Sequence, residues 1–141
     1  IQKHPHFSPF YGLLIAYYWV HDHEKAIEWT KKTYAKFPED FTAKLAMAKY
    51  YAVVEDNMEG VYSIFGRDIK LSYAYPNRKL YHYTEFMNFV FFSVYIFLEL
   101  DRLSDAEAKL AEIAPFGTDH QTYYACKKMI DNYKMTHLNL N

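Results

Sequence analysis

Apolar residues recur at helical spacing along almost the whole chain, and short polar turns cut that pattern into pairs. Ser8 before Pro9 reads as a helix start, because Ser caps free amides and Pro loses nothing at the first helical position. Phe10, Leu13, Leu14 and Tyr17 then fall at i, i+3, i+4 and i+7, one apolar stripe that ends at Val20. After His21-Asp22-His23 a second stripe runs through Ala26, Thr30, Thr33 and Phe37, with Ile27 and Tyr34 beside it, and Pro38 ends it. Asp40 caps a third helix with Ala43, Ala46, Met47, Tyr50, Val53 and Val54 on one face. Glu55-Asp56-Asn57 breaks that helix, and Met58, Val61, Tyr62, Phe65 and Ile69 resume the pattern. The third pair spans roughly 81–100 and 104–114. Capping boxes are expected at Ser104-Asp105-Ala106-Glu107 and at Thr118-Asp119-His120-Gln121, the second opening a last helix through Tyr123, Tyr124, Ile130 and Tyr133.

Equivalent places in the three pairs carry a small residue. Ala26 and Gly60 are 34 residues apart, and Ala106 lies 46 beyond Gly60, so about 12 extra residues sit in the second connection. The surplus falls in Lys70 to Leu80, where periodicity fails and Pro76-Asn77 marks a turn. Small residues there let the two helices of a pair approach closely.

Phe10, Leu13, Tyr17, Ala26 and Pro38 of the first pair, and Met47, Ala48, Tyr51 and Gly60 of the second, carry a resemblance to the tetratricopeptide repeat (TPR) family, a 34-residue helix-turn-helix unit. Leu14, Thr30 and Lys44 depart from its pattern, and Val90, Val94, Phe97, Ala106 and Leu110 of the third pair match only by class. The resemblance implies one all-α domain over 1–141, a right-handed α-solenoid. Three TPR-like helix hairpins, about 7–38, 41–72 and 85–117, would precede a C-terminal capping helix at about 118–136. Each hairpin has an apolar face it cannot bury alone, so neighbours must stack.

Composition narrows the function. Half the residues (51%) are apolar and 20% aromatic, which excludes a disordered chain. With 16 basic and 17 acidic residues no basic stripe fits a phosphate backbone, so nucleic acid is not an expected partner. Phe86 to Leu98 is the most apolar run, too short for a membrane span of about 20 residues and read as a core helix. One cysteine, Cys126, permits no internal disulfide and favours a reducing cytosol. A start at Ile1 suggests a processed product or part of a longer repeat protein.

No catalytic or cofactor motif emerges: glycines 12, 60, 66 and 117 are scattered, and Cys126 reads as a small core residue. His21 and His23 are spaced i, i+2 and do not share a helix face, so Asp22 between them is expected to cap a turn. The alternative is a metal-binding helical protein that brings His4, His6, His21 and His23 together. The leading expectation is a soluble, non-catalytic scaffold binding a protein or peptide, with dimerisation as a further use of its surface. In the TPR family, first helices line a concave groove. Carried over by position, that groove would hold Tyr11, Ile15, Tyr18, Trp19, Leu45, Lys49, Asn88, Phe91 and Tyr95, an aromatic surface suited to a peptide or partner helix. The basic clamp by which some members hold a C-terminal carboxylate is absent, because its places carry Tyr11, Ile15, Ala46, Asn88 and Phe92.

Overall fold

The structure, a computed structural model, describes residues 9–138, with side chains from residue 12 onward. The described residues are helical, without strands, and fall into two compact units that divide after Pro76. That division lies inside the stretch where helical periodicity fails.

The first unit holds α1 (Pro9–His21), α2 (His23–Lys36), α3 (Phe41–Val53), α4 (Met58–Phe65) and a single turn, α5 (Leu71–Ala74). Each helix packs on the next, α1 on α2, α2 on α3 and α3 on α4. The α2 face is the one its spacing predicts: Ala26, Thr30, Thr33 and Phe37 are all buried. On α1 the outcome differs. Leu13 and Tyr17 are 71% and 56% exposed, while Ile15 is buried. From Leu13 to Val20 every residue is apolar or aromatic, so periodicity selects no face, and contact with α2 selects it instead. α3 lies against both α2 and α4 and buries Phe41, Ala43, Leu45, Met47, Ala48 and Tyr50 around most of its circumference, whereas Val53 and Val54 at its end are exposed. Lys44 is buried along its stem, and its ammonium reaches the Glu39 carboxylate at 3.9 Å and the Tyr75 ring at 5.5 Å.

Caps set the starts of these helices. Asp22, Asp40 and Asn57 accept hydrogen bonds from the amides of Lys25, Ala43 and Gly60 at 3.2, 3.2 and 3.0 Å. Gly60 also answers for its small size: a Cβ there would lie 2.5 Å from Cγ of Tyr51, whose ring rests on the α4 backbone. Beyond α4, Ile69 is fully buried at a φ of 51°, a conformation costly for a β-branched residue and held by its packing.

The second unit is built on α6 (Tyr83–Glu99), with α7 (Leu103–Ile113), a 3₁₀ turn (Ala114–Phe116) and α8 (Gln121–His137). α6 packs on both α7 and α8, which also touch each other. Flanked on two sides, it buries Met87, Phe89, Val90, Phe92, Val94, Ile96 and Phe97. Among the described residues no helix is long and apolar enough to cross a membrane. Ser93 within this core donates its hydroxyl to the Phe89 carbonyl at 2.8 Å. Arg78, ahead of α6, pairs with Glu85 at 2.5 Å, and Glu85 in turn accepts the His82 amide at 3.0 Å.

Both expected capping boxes are displaced. α7 starts at Leu103 with Arg102 at the cap, because Asp101 adopts a φ of 57° and Arg102 donates its amide back to Phe97 at 2.8 Å, a tight reversal that leaves no room for a start at Ser104. Arg102 Nε instead bonds Asp105 at 2.7 Å. α8 is capped by His120, whose Nδ1 accepts the Thr122 amide at 3.0 Å, while Thr118 falls in the turn after Gly117. Ala26 and Ala106 are fully buried, as expected for residues at helix–helix approaches.

Candidate functional site

His21 and His23 lie at a helix–turn–helix junction. α1 ends at His21, Asp22 caps α2, and α2 begins at His23. The rings diverge: His21 lies on Tyr17 with centroids 4.3 Å apart, and His23 meets Trp19 edge-on at 5.6 Å. His4 and His6 lie outside the described residues. Among those described, no three His, Cys, Asp or Glu side chains gather as a metal site would require.

The residues carried over as a groove are split between the units. In the first, Ile15 and Leu45 are buried, Tyr18 and Trp19 are half-buried, and Lys49 is exposed, although desolvation lowers its pKa from the ordinary lysine value. Tyr11 belongs to α1, but its side chain lies outside those described. In the second unit, Asn88, Phe91 and Tyr95 follow one another at i, i+3 and i+7 on α6; Asn88 and Phe91 are exposed and Tyr95 half-buried. The helical spacing thus brings this trio together on the side of α6 left open.

Tyr95 leads into a cleft of about 340 Å³ between α6 and α8. α6 contributes Tyr95, Leu98 and Glu99, and α8 contributes Met129, Asn132, Tyr133, Thr136 and His137. The Tyr133 hydroxyl donates to Asp101 at 2.8 Å, tying α8 to the turn after α6, and His137 stacks on the Tyr133 ring at 4.2 Å and 14°. The hydrogen bond to Asp101 raises the Tyr133 pKa, and desolvation followed by the charge of Glu99 raises that of Tyr95, so both phenols stay neutral at physiological pH. Glu99 is exposed and has no hydrogen bond or ion pair among the described residues.

Sequence spacing reaches Tyr95 but not the rest of this cleft. The pairs Tyr95/Glu99 and Tyr133/His137, each at i, i+4, are the available signal, but their meeting depends on how α8 returns to α6.

Cys126, also on α8, is fully buried, and burial pushes its thiol up to about 11, the state of an inert core cysteine rather than of a nucleophile. Comparison with protein-family models, with curated proteins and with solved structures gives no match to this chain.

Proposed function

We propose that this chain is a non-catalytic protein-interaction module whose binding surface includes the outward side of α6 and its cleft with α8, taking a peptide or a partner helix. The observation that carries this reading is the cleft itself: an open, mainly apolar concavity walled by Tyr95 and Tyr133 and continued along α6 by the exposed Phe91. Aromatic side chains at such a site offer large contact area at low entropic cost. The reading includes TPR-like hairpins stacked as a right-handed solenoid. Its support is the recurrence of a small residue at the same place in each pair, with Ala26 and Ala106 fully buried and Gly60 under the Tyr51 ring.

The test is capture of partners from native lysate by the wild-type chain and by a Tyr95→Ala, Phe91→Ala variant of unchanged helicity. A partner retained by the first and lost by the second is the expected result. Equal capture by both refutes the placement of the binding surface, and no capture by either refutes the interaction reading.

A further inference from the structure

We infer that the α6/α8 cleft receives the side chain of an arginine carried by a partner polypeptide. This deepens the interaction reading and rests on it, adding the chemistry of the occupant.

Charge points to a cation. Glu99 lines the cleft with no partner among the described residues, and no Lys or Arg lines it. Both helices also present their C-terminal turns there: α6 ends at Glu99 and α8 at His137, each the negative end of a helix dipole. Two helix ends and a free carboxylate facing one concavity favour a positive group from three sides.

The walls narrow the choice to a guanidinium. Tyr95 and Tyr133 line the cleft, and aromatic rings attract cations held over their faces within about 6 Å of the ring centre. Tyr133 is held in place by its bond to Asp101, so its face is ordered before anything binds. His137 stacks at 14° on one side of the Tyr133 ring, which leaves the other face of Tyr133 and the Tyr95 ring for a planar cation. A guanidinium is planar, stacks on aromatic faces and bonds a carboxylate through two parallel N–H groups, none of which an ammonium does as well. Leu98 and Met129 supply apolar surface for the three methylenes of the stem. The volume, about 340 Å³, is near the lower end of the roughly 300–1,000 Å³ of ligand pockets, which suits one long side chain rather than a whole helix.

The test is a titration of the full ¹⁵N-labelled chain with the peptide acetyl-Gly-Gly-Arg-Gly-Gly-amide, and with the same peptide carrying citrulline, the uncharged isostere. The expected result is saturable shifts confined to the amides around Glu99, Asn132, Tyr133 and His137, at least about tenfold weaker for citrulline, the loss of one charge-assisted interaction. Glu99→Gln, an exposed and isosteric change, weakens arginine binding by about the same factor and leaves the rest of the spectrum intact. A lysine peptide binds more weakly than arginine. Equal binding of the arginine and citrulline peptides, unchanged affinity in the Glu99→Gln chain, or shifts elsewhere on the protein would each overturn the assignment of a cation site. Should citrulline bind equally at this cleft, the interaction reading survives and only the cation chemistry falls. Should neither peptide shift any amide while Tyr95→Ala, Phe91→Ala also captures every partner the wild type does, both fall.

Discussion

Gly60→Ala tests whether close helix approach, rather than chance, fixes a small residue where α4 meets α3. The added Cβ would stand 2.5 Å from Cγ of Tyr51 and 2.7 Å from both Cδ atoms, so the clash is with the root of the ring and not a flexible tip. Carbon contacts are comfortable at about 3.5–4.0 Å, so the ring or α4 must withdraw by about 1 Å. Overpacking of this kind costs about 1–3 kcal/mol. Against it stands the preference of helices for Ala over Gly, about 0.8–1.0 kcal/mol in a helix interior and less in the first turn, where residue 60 lies. The net expectation is a loss of about 1–2 kcal/mol. Trp19 and Trp29, the two tryptophans of the chain, both lie in the first unit, so urea unfolding followed by tryptophan fluorescence reports on it. In a Tyr51→Ala background the obstacle is gone, and the same Gly60→Ala change becomes neutral or stabilising by up to about 1 kcal/mol. A stabilising Gly60→Ala in the wild-type background, or the same effect in both backgrounds, refutes the reasoning.

Further expectations follow from other buried groups. Thr30 is fully buried and its hydroxyl has no hydrogen-bond partner among the described residues, so the isosteric Thr30→Val stabilises the first unit by about 1–3 kcal/mol in the same fluorescence assay; a loss of stability would reveal a partner for the hydroxyl. The Cys126 thiol, at about 11 against an ordinary 9.0, carries about a hundredfold less thiolate at pH 8, so thiol reagents label the native chain at least that much more slowly than the urea-unfolded one. Because the folded pKa is the higher, the contribution of Cys126 to stability is complete below about pH 9 and is lost as pH rises toward 11, which a Cys126→Ala variant would not show over that window. Arg78→Ala removes the charged partner of the half-buried Glu85 and destabilises the second unit by about 1.5–3 kcal/mol, read by far-ultraviolet circular dichroism.

How far the sequence reached differs between elements. The buried face of α2 is written in the spacing of Ala26, Thr30, Thr33 and Phe37, because charged residues at 24, 25, 28, 31 and 32 leave one apolar side. α1 has no such contrast, and the stripe through Leu13 and Tyr17 is the exposed one. Caps were legible where the acid stood directly before the helix, as at Asp22 and Asp40, whereas Asn57 read only as a helix break and proves to cap α4. They failed at α7 and α8, where backbone reversals at Asp101 and Gly117 decide the first helical residue and local side-chain motifs do not.

By itself the sequence determined that the described residues are helical, where most turns fall, and that Ala26, Gly60 and Ala106 stand where helices approach closely. These are local properties, set by 3.6-residue periodicity, capping and the volume of one side chain. Tertiary structure alone decided which side of α1 faces inward, and it alone made the cleft in which Tyr95 and Glu99 meet Tyr133 and His137. Residues more than thirty positions apart meet only once a whole apolar surface has found its partner. The burial that drives that choice is non-directional and leaves no local mark in the chain.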